Sequence, residues 1–475
     1  MYYHLVTLGC QMNKSDSERV SCVIKQLGYQ WTDNEAKADL LGVIACSVRQ
    51  KAIDKVYTRI HKWNKWKNNK NLVTFVSGCV LPDDRDKFLN LFDLIFQMSE
   101  LPHLGDMLAQ YGVVSPISLN SAVADSLVKE EEHSILKIAR PNGKITITGQ
   151  PVLMKKPDEH INEFWDIKPK YNSDFEAFVP IQNGCDKFCT YCAVPYTRGR
   201  EISRPSDEIV EEVKRLVESG YKSITLLGQN VNSYGKDKNG QEVNFAQLLE
   251  KIGSYGDSCG MDFWLYYTSP HPKDMTDDVL EAMSKYKCIA KWVHLPIQSG
   301  DNHMLIRMNR NHSVAEYRKI VASIRRILPE ANLFTDIIVG FTGETEEEFQ
   351  HTADAMEEFR YNMAYIARYS PRPGAVSARW EDNVPHAVKK ERLHILSELL
   401  KKHSNESNQE MIGKDYRVLI HGKDRKEGHL TGTTEGKIIV RVASENTDLI
   451  GKFVDVRINS AAEFAAQGEL VEIFA

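Results

Sequence analysis

The chain has 475 residues, with 60 Lys and Arg against 65 Asp and Glu and a formal net charge of -5. That length suits two to four domains rather than one core, and the mild acidity excludes a uniformly basic nucleic-acid coat while leaving room for local patches. No apolar run approaches the roughly 18 residues of a spanning helix, so no membrane is expected. The opening residues MYYHLVTLGC lack the order of a secretory leader. Nine cysteines with no small-domain spacing fit a reducing compartment, so cytoplasmic location is expected.

An α/β fold is expected, beginning with a parallel-sheet unit over residues 1–116. The runs HLVTLGC, ADLLGVIAC and NLVTFVSGC read as strands, each followed by a helical stretch. Each strand ends in a cysteine: Cys10, Cys46 and Cys79. Ligands of open α/β sheets bind beyond the carboxyl ends of strands, so these thiols are expected to converge on a metal. Three separately buried cysteines are the alternative. Residues 49–70 hold eight basic residues (Arg49, Lys51, Lys55, Arg59, Lys62, Lys65, Lys67 and Lys70) against Asp54 alone, with Trp63 and Trp66 interleaved. This segment reads either as an RNA-tracking surface or as a solvated helix face with inward tryptophans.

Residues 117–170 read as an irregular linker with one hairpin around ITITG. Strand–helix alternation resumes over 171–405 with FEAFVPIQ, SITLLGQ, MDFWLYYTS, KWVHLPIQ, FTDIIVGF and AYIARYS. It predicts a partial or full (β/α) barrel whose active site lies at the C-terminal ends of its strands. Residues 406–475 alternate with period two and read as a small all-β barrel of OB-like type. Its basic residues Arg417, Lys423, Arg425, Lys426, Lys437 and Arg441 point to RNA-backbone contact.

The densest chemistry is GCDKFCTYC, where Cys185, Cys189 and Cys192 fall within eight positions and no fourth cysteine follows. Three thiolates hold three irons of a [4Fe–4S] cluster and leave the fourth to an outside ligand. S-adenosyl-L-methionine suits that position, since its amino and carboxylate groups chelate iron. A zinc site completed by a distant histidine is the alternative. Gly340-Phe-Thr-Gly343-Glu344 follows a strand and allows close backbone approach to a cofactor, or is a plain turn. Gln229 and Asn230 end another strand, as cofactor contacts or as turn caps. Cys22, Cys259 and Cys288 share no strand-end position and read as structural.

GCDKFCTYCAVPYTRGREISRP closely resembles the radical-SAM signature of the methylthiotransferases. TLGCQMNKSDSE and ACSVRQKAIDKV resemble the tRNA-2-methylthio-N6-dimethylallyladenosine synthases (the MiaB group), and LLGQNVNSYG, HLPIQSG, DIIVGFTGET and SPRPG continue the likeness. The C-terminal module resembles a TRAM domain. The resemblance implies a radical-SAM methylthiotransferase that inserts sulfur and a methyl group at carbon 2 of N6-(dimethylallyl)adenosine 37, beside the anticodon. It implies two [4Fe–4S] clusters. Cys185, Cys189 and Cys192 would hold the one that cleaves S-adenosyl-L-methionine; Cys10, Cys46 and Cys79 would hold an auxiliary one that donates sulfur. It also implies tRNA (the anticodon stem-loop) and an electron donor such as a flavodoxin or ferredoxin as partners; a monomer is expected. The family usually carries Asn-Thr where this chain has Ile44-Ala45, which removes an expected polar contact. Threonylcarbamoyl adenosine or a ribosomal protein as acceptor, and a non-catalytic iron–sulfur RNA-binding protein, are the competing readings.

Overall fold

The computed structural model describes residues 1–47, 50–111, 136–140, 142–148 and 161–473. The N-terminal sheet has seven strands in the spatial order 30–31, 2–7, 40–46, 73–79, 94–95, 145–148 and 136–139. Leu40–Cys46 is buried at every position, as befits a central parallel strand covered on both faces. Its side chains alternate between two cores. Leu40 and Ile44 meet Val20, Val23 and Ile24 of the helix Gln11–Gln26. Leu41, Val43 and Ala45 meet Ile53, Val56, Ile60 and Trp63 of the helix Gln50–Trp66.

The segment read as a linker contributes to this sheet. Leu136–Ala139 and Ile145–Thr148 form an antiparallel hairpin, and the second strand pairs in parallel with Leu94–Ile95. Asp93 secures the hairpin from the sheet's interior, taking Arg140 at 2.9 Å and Lys67 at 2.5 Å. The helix Ile161–Asp166 of the same segment packs Ile161, Phe164 and Trp165 into the core beside the helix Gln11–Gln26, while residues 117–135, 141 and 149–160, with Arg49, lie outside the described residues.

Six parallel strands then form two three-stranded groups: 176–180, 223–227 and 264–267, and 292–294, 332–339 and 363–368. A bridge between Leu265 and Ile289 connects the groups. The result is a partial barrel of six strands. Three of its helices begin with reciprocal capping boxes, Asn244/Gln247, Ser313/Glu316 and Thr345/Glu348, which satisfy the free N–H groups of their first turns. The helix Gln11–Gln26 lies against the first barrel strand, where Ser15 Oγ donates to the Phe178 carbonyl at 3.3 Å. The helix His386–Gln409 leads to a closed five-stranded barrel over residues 415–473.

Candidate active site and its two cysteine triads

Cys46 and Cys79 end neighbouring parallel strands and are register partners. The Cys10 loop closes over them: a Cβ on Gly9 would stand 2.7 Å from Cys46 Cβ and 3.2 Å from its Sγ. Asn13 ties the three strand ends together. Its Nδ2 donates to the Leu8 and Ala45 carbonyls, each at 2.7 Å, and its Oδ1 faces Cys79 Sγ at 3.5 Å. Ile44 is fully buried and Ala45 offers only its backbone here, so Asn13 supplies polar contact to the triad from another element. Burial first, then the neighbouring thiols, pushes Cys79 up to about 12, with Arg198 opposing. Without metal it is a neutral thiol, and loading must release its proton.

Cys185, Cys189 and Cys192 occupy the loop after the first barrel strand. Gly184 has φ +79, and a Cβ there would stand 2.0 Å from the Arg200 carbonyl oxygen, so only glycine fits. The segment after the fourth strand holds the loop in place. Thr190 Oγ1 donates to the Arg307 carbonyl at 2.8 Å, and Asn309 Nδ2 donates to the Lys187 and Phe188 carbonyls at 3.2 and 3.0 Å. Buried Arg310 reaches Cys189 Sγ at 3.6 Å and the Pro296 carbonyl at 2.8 Å. Burial raises Cys185 to about 12 and Cys192 to about 11.

One side chain from the helix that follows the second triad reaches the first. Arg198, at the end of the helix Val194–Arg198, donates from Nε to Cys79 Sγ at 3.0 Å and from Nη2 to Asp16 Oδ2 at 2.5 Å. Around it the start of the helix Gln11–Gln26 is polar yet buried: Asn13, Ser15, Asp16, Ser17, Glu18 and Arg19. Arg19 and Arg204 share Glu212, whose carboxylate also accepts from the Tyr171 hydroxyl. The N-terminal unit therefore docks on the barrel through paired charges.

Buried polar atoms without partners gather at the barrel's strand ends, among the described residues. They include Gln229 Oε1, Asn230 Oδ1, Arg310 Nε, His271 Nε2 and His312 Nε2. Burial holds His312 at about 4 and His271 lower still, Arg310 adding to both, so both rings are neutral. His271 Nδ1 accepts from the Lys273 N–H, which places the proton on Nε2; His312 Nδ1 faces the Arg310 carbonyl, which leaves Nε2 as an acceptor. Unsatisfied buried donors and acceptors are costly, and a polar cofactor such as S-adenosyl-L-methionine would meet them. Asn230 Nδ2 donates to Asp274, which also pairs with Lys187 of the cysteine loop.

The loop Gly340–Glu344 is glycine-rich for an internal reason. A Cβ on Gly340 would stand 2.3 Å from the Lys389 side chain, and one on Gly343 would stand 2.5 Å from the Arg307 guanidinium. Glu344 is committed to the Gly340 N–H at 2.6 Å and Arg392 at 2.7 Å. Its carboxylate shapes the loop.

The basic residues divide in a way their sequence positions do not reveal. Trp63 is fully buried, Lys67 pairs with Asp93, and Lys62 and Arg59 pair with Glu35. The helix 50–66 thus has inward tryptophans, while Lys51, Lys55 and Lys65 are exposed. In the C-terminal barrel, Arg417 pairs with Asp262 and stacks on Phe453, Lys437 stands over Tyr266, and Arg441 pairs with Asp424. Lys423, Arg425 and Lys426 are the exposed remainder of the six.

Residues 179–356 match the Radical SAM superfamily, residues 2–97 match Uncharacterized protein family UPF0004, and residues 409–471 match the TRAM domain. Over its whole length the chain is 38% identical to a tRNA-2-methylthio-N(6)-dimethylallyladenosine synthase of Thermoanaerobacter sp. (strain X514), covering 93% of that protein. The chain belongs to this synthase family. A second member, from Carboxydothermus hydrogenoformans, is 37% identical over 99% of both chains. In fold, the cobalamin-dependent S-adenosylmethionine radical enzyme OxsB superposes on 83% of this chain and 56% of its own, with a TM-score of 0.51 and 13% identity. S-adenosyl-L-methionine and [4Fe–4S] clusters are the cofactors of the radical-SAM methylthiotransferases to which the chain belongs. No helix among the described residues is long and apolar enough to cross a membrane.

Proposed function

We propose that the chain is a tRNA methylthiotransferase that converts N6-(dimethylallyl)adenosine to its 2-methylthio derivative at position 37. The observation that carries this reading is that Arg198, from the short helix following the second three-thiol loop, donates to Cys79 of the first three-thiol site. Three thiols per site suit [4Fe–4S] clusters with one open iron, and the unsatisfied polar atoms beside the second site suit a polar cofactor. When bound, the clusters and S-adenosyl-L-methionine supply the radical and the sulfur, which no side chain provides.

Cys185, Cys189 and Cys192 hold the cluster that S-adenosyl-L-methionine meets, and Cys10, Cys46 and Cys79 hold the auxiliary one. Gln229, Asn230 and the backbone of Gly340–Gly343 contact the cofactor, with Glu344 holding the loop through the Gly340 N–H and Arg392. Arg310 and the neutral His271 and His312 orient polar groups there. Lys423, Arg425 and Lys426, with Lys51, Lys55 and Lys65, offer charge to the backbone of the anticodon stem-loop. A flavodoxin or ferredoxin in the cytoplasm supplies electrons to a monomeric enzyme. Nucleoside mass spectrometry of tRNA from a deletion strain tests this: the 2-methylthio group should vanish with the dimethylallyl adenosine retained. An unchanged nucleoside profile would remove the proposal.

A further inference from the structure

Arg198 belongs by sequence to the radical-SAM half, six positions after Cys192, yet its guanidinium is buried among residues of the N-terminal unit. Its side chain is 6% exposed, and it contacts Cys79 Sγ at 3.0 Å, Asn13 Oδ1 at 3.1 Å and Asp16 Oδ2 at 2.5 Å. Nη1 also donates to Asn183 Oδ1 at 3.2 Å, and Asn183 Nδ2 returns a bond to the Arg198 carbonyl at 3.0 Å. Both ends of the residue are thereby fixed to the cysteine-loop strand.

The contacts have a particular order. Asn13 gives both amide hydrogens to the carbonyls of Leu8 and Ala45, so its Oδ1 is left to accept from Arg198. That amide touches the strand ends carrying all three N-terminal cysteines. Asp16 balances the guanidinium's charge and is 1% exposed. The N–H aimed at Cys79 is therefore a directed donor within a neutral pair. Donors to cluster sulfurs raise a cluster's reduction potential and fix its ligands.

We infer that Arg198 is a positioning residue for the auxiliary, sulfur-donating cluster, supplied by the radical-SAM half so that the donor is set only when the two units are docked. This rests on the assignment of Cys10, Cys46 and Cys79 as ligands. Lysine cannot reproduce the role, because a point ammonium lacks the planar fork that serves sulfur, amide and carboxylate together.

The test uses the full chain with Cys185, Cys189 and Cys192 replaced by alanine, so that only the auxiliary cluster assembles. Its reduction potential is followed by electron paramagnetic resonance in Arg198→Met and Arg198→Lys. The expected result is a lower potential in the Met variant, with Lys intermediate. In the otherwise intact enzyme, the yield of methylthio product per 5′-deoxyadenosine should fall by about 10–100-fold in Arg198→Met. An unchanged potential, or product and 5′-deoxyadenosine falling in parallel, would overturn the inference. If Arg198→Met holds no iron, Asp16→Asn decides. It leaves the guanidinium in place with its charge uncompensated, and it should raise the potential; no rise overturns the inference. The potential needs no RNA, so failure of the proposed tRNA reaction would leave this result standing and be seen separately.

Discussion

Cys46 and Cys79 are register partners at the last positions of two adjacent parallel strands, so one metal site can draw on both without any loop rearrangement. Cys46→Ala or Cys79→Ala should therefore remove one cluster cleanly. Iron in the reconstituted protein should fall from about eight to about four per chain. Reductive formation of 5′-deoxyadenosine should persist while methylthiolation is lost. Cys185→Ala should abolish both, and Cys22→Ala should be close to silent. Equal effects of Cys46→Ala and Cys185→Ala on 5′-deoxyadenosine would contradict the division into two sites.

Asp93 is 1% exposed and gathers Lys67, Arg140, Thr74 and the Tyr111 hydroxyl. These cations hold its carboxyl below the ordinary range against the opposing effect of burial. Asp93→Ala leaves two buried cations facing each other and should cost about 3–5 kcal/mol. Hydrogen exchange should rise first in residues 136–148, the hairpin that Arg140 anchors. Protection unchanged in that hairpin would show that the ion pair does not hold it.

Glu18 is 5% exposed, and burial raises it to about 7 although the Asn172 N–H and Arg19 oppose the shift. A carboxyl whose folded value exceeds its unfolded one contributes stability below about 4.5 that is lost as pH rises towards 7. The shift corresponds to a cost on the order of 3 kcal/mol above pH 7. Glu18→Gln should gain thermal stability relative to the parent between pH 4.5 and 7.5, with the difference widening as pH rises. A constant difference across that range would place the carboxyl's titration elsewhere.

The exposed basic residues of the C-terminal barrel make a separable prediction. Alanine at Lys423, Arg425 or Lys426 should weaken tRNA binding and shallow its salt dependence by roughly one counterion each. The rate of 5′-deoxyadenosine formation without RNA should not change. Arg417→Ala should instead loosen the barrel's attachment at Asp262 and uncover Phe453 within the barrel, seen as a lower melting temperature at unchanged salt slope.

The strand ends at Cys46 and Cys79 are legible because a cysteine closing an apolar run is a local signal, and parallel strands place such ends side by side; Cys10 falls three positions beyond its strand, which ends at Thr7. The six barrel strands were legible for the same reason, since their apolar runs alternate with amphipathic helices. Less visible was what crosses between units. Asn13 and Asp16 look like solvent residues at a helix start, yet they are buried because Arg198, 182 positions after Asp16, lies against them. No periodicity records such a pairing. Arg417 and Lys437 read as RNA contacts because charge in a sequence is silent about neighbours, here Asp262 and Tyr266. The hairpin around ITITG is legible, but its place in the sheet is not, because strands of four residues each, within a charged and proline-broken stretch, carry too little pattern to declare a sheet.

The most direct test of the whole account is turnover by the anaerobically reconstituted protein with S-adenosyl-L-methionine, a strong reductant and defined acceptors, read by nucleoside mass spectrometry. A tRNA carrying N6-(dimethylallyl)adenosine at position 37 should gain the 2-methylthio group. Threonylcarbamoyl adenosine tRNA and ribosomal protein should remain unmodified. Formation of 5′-deoxyadenosine with no methylthio group on the dimethylallyl acceptor, or transfer to one of the other two, would contradict it.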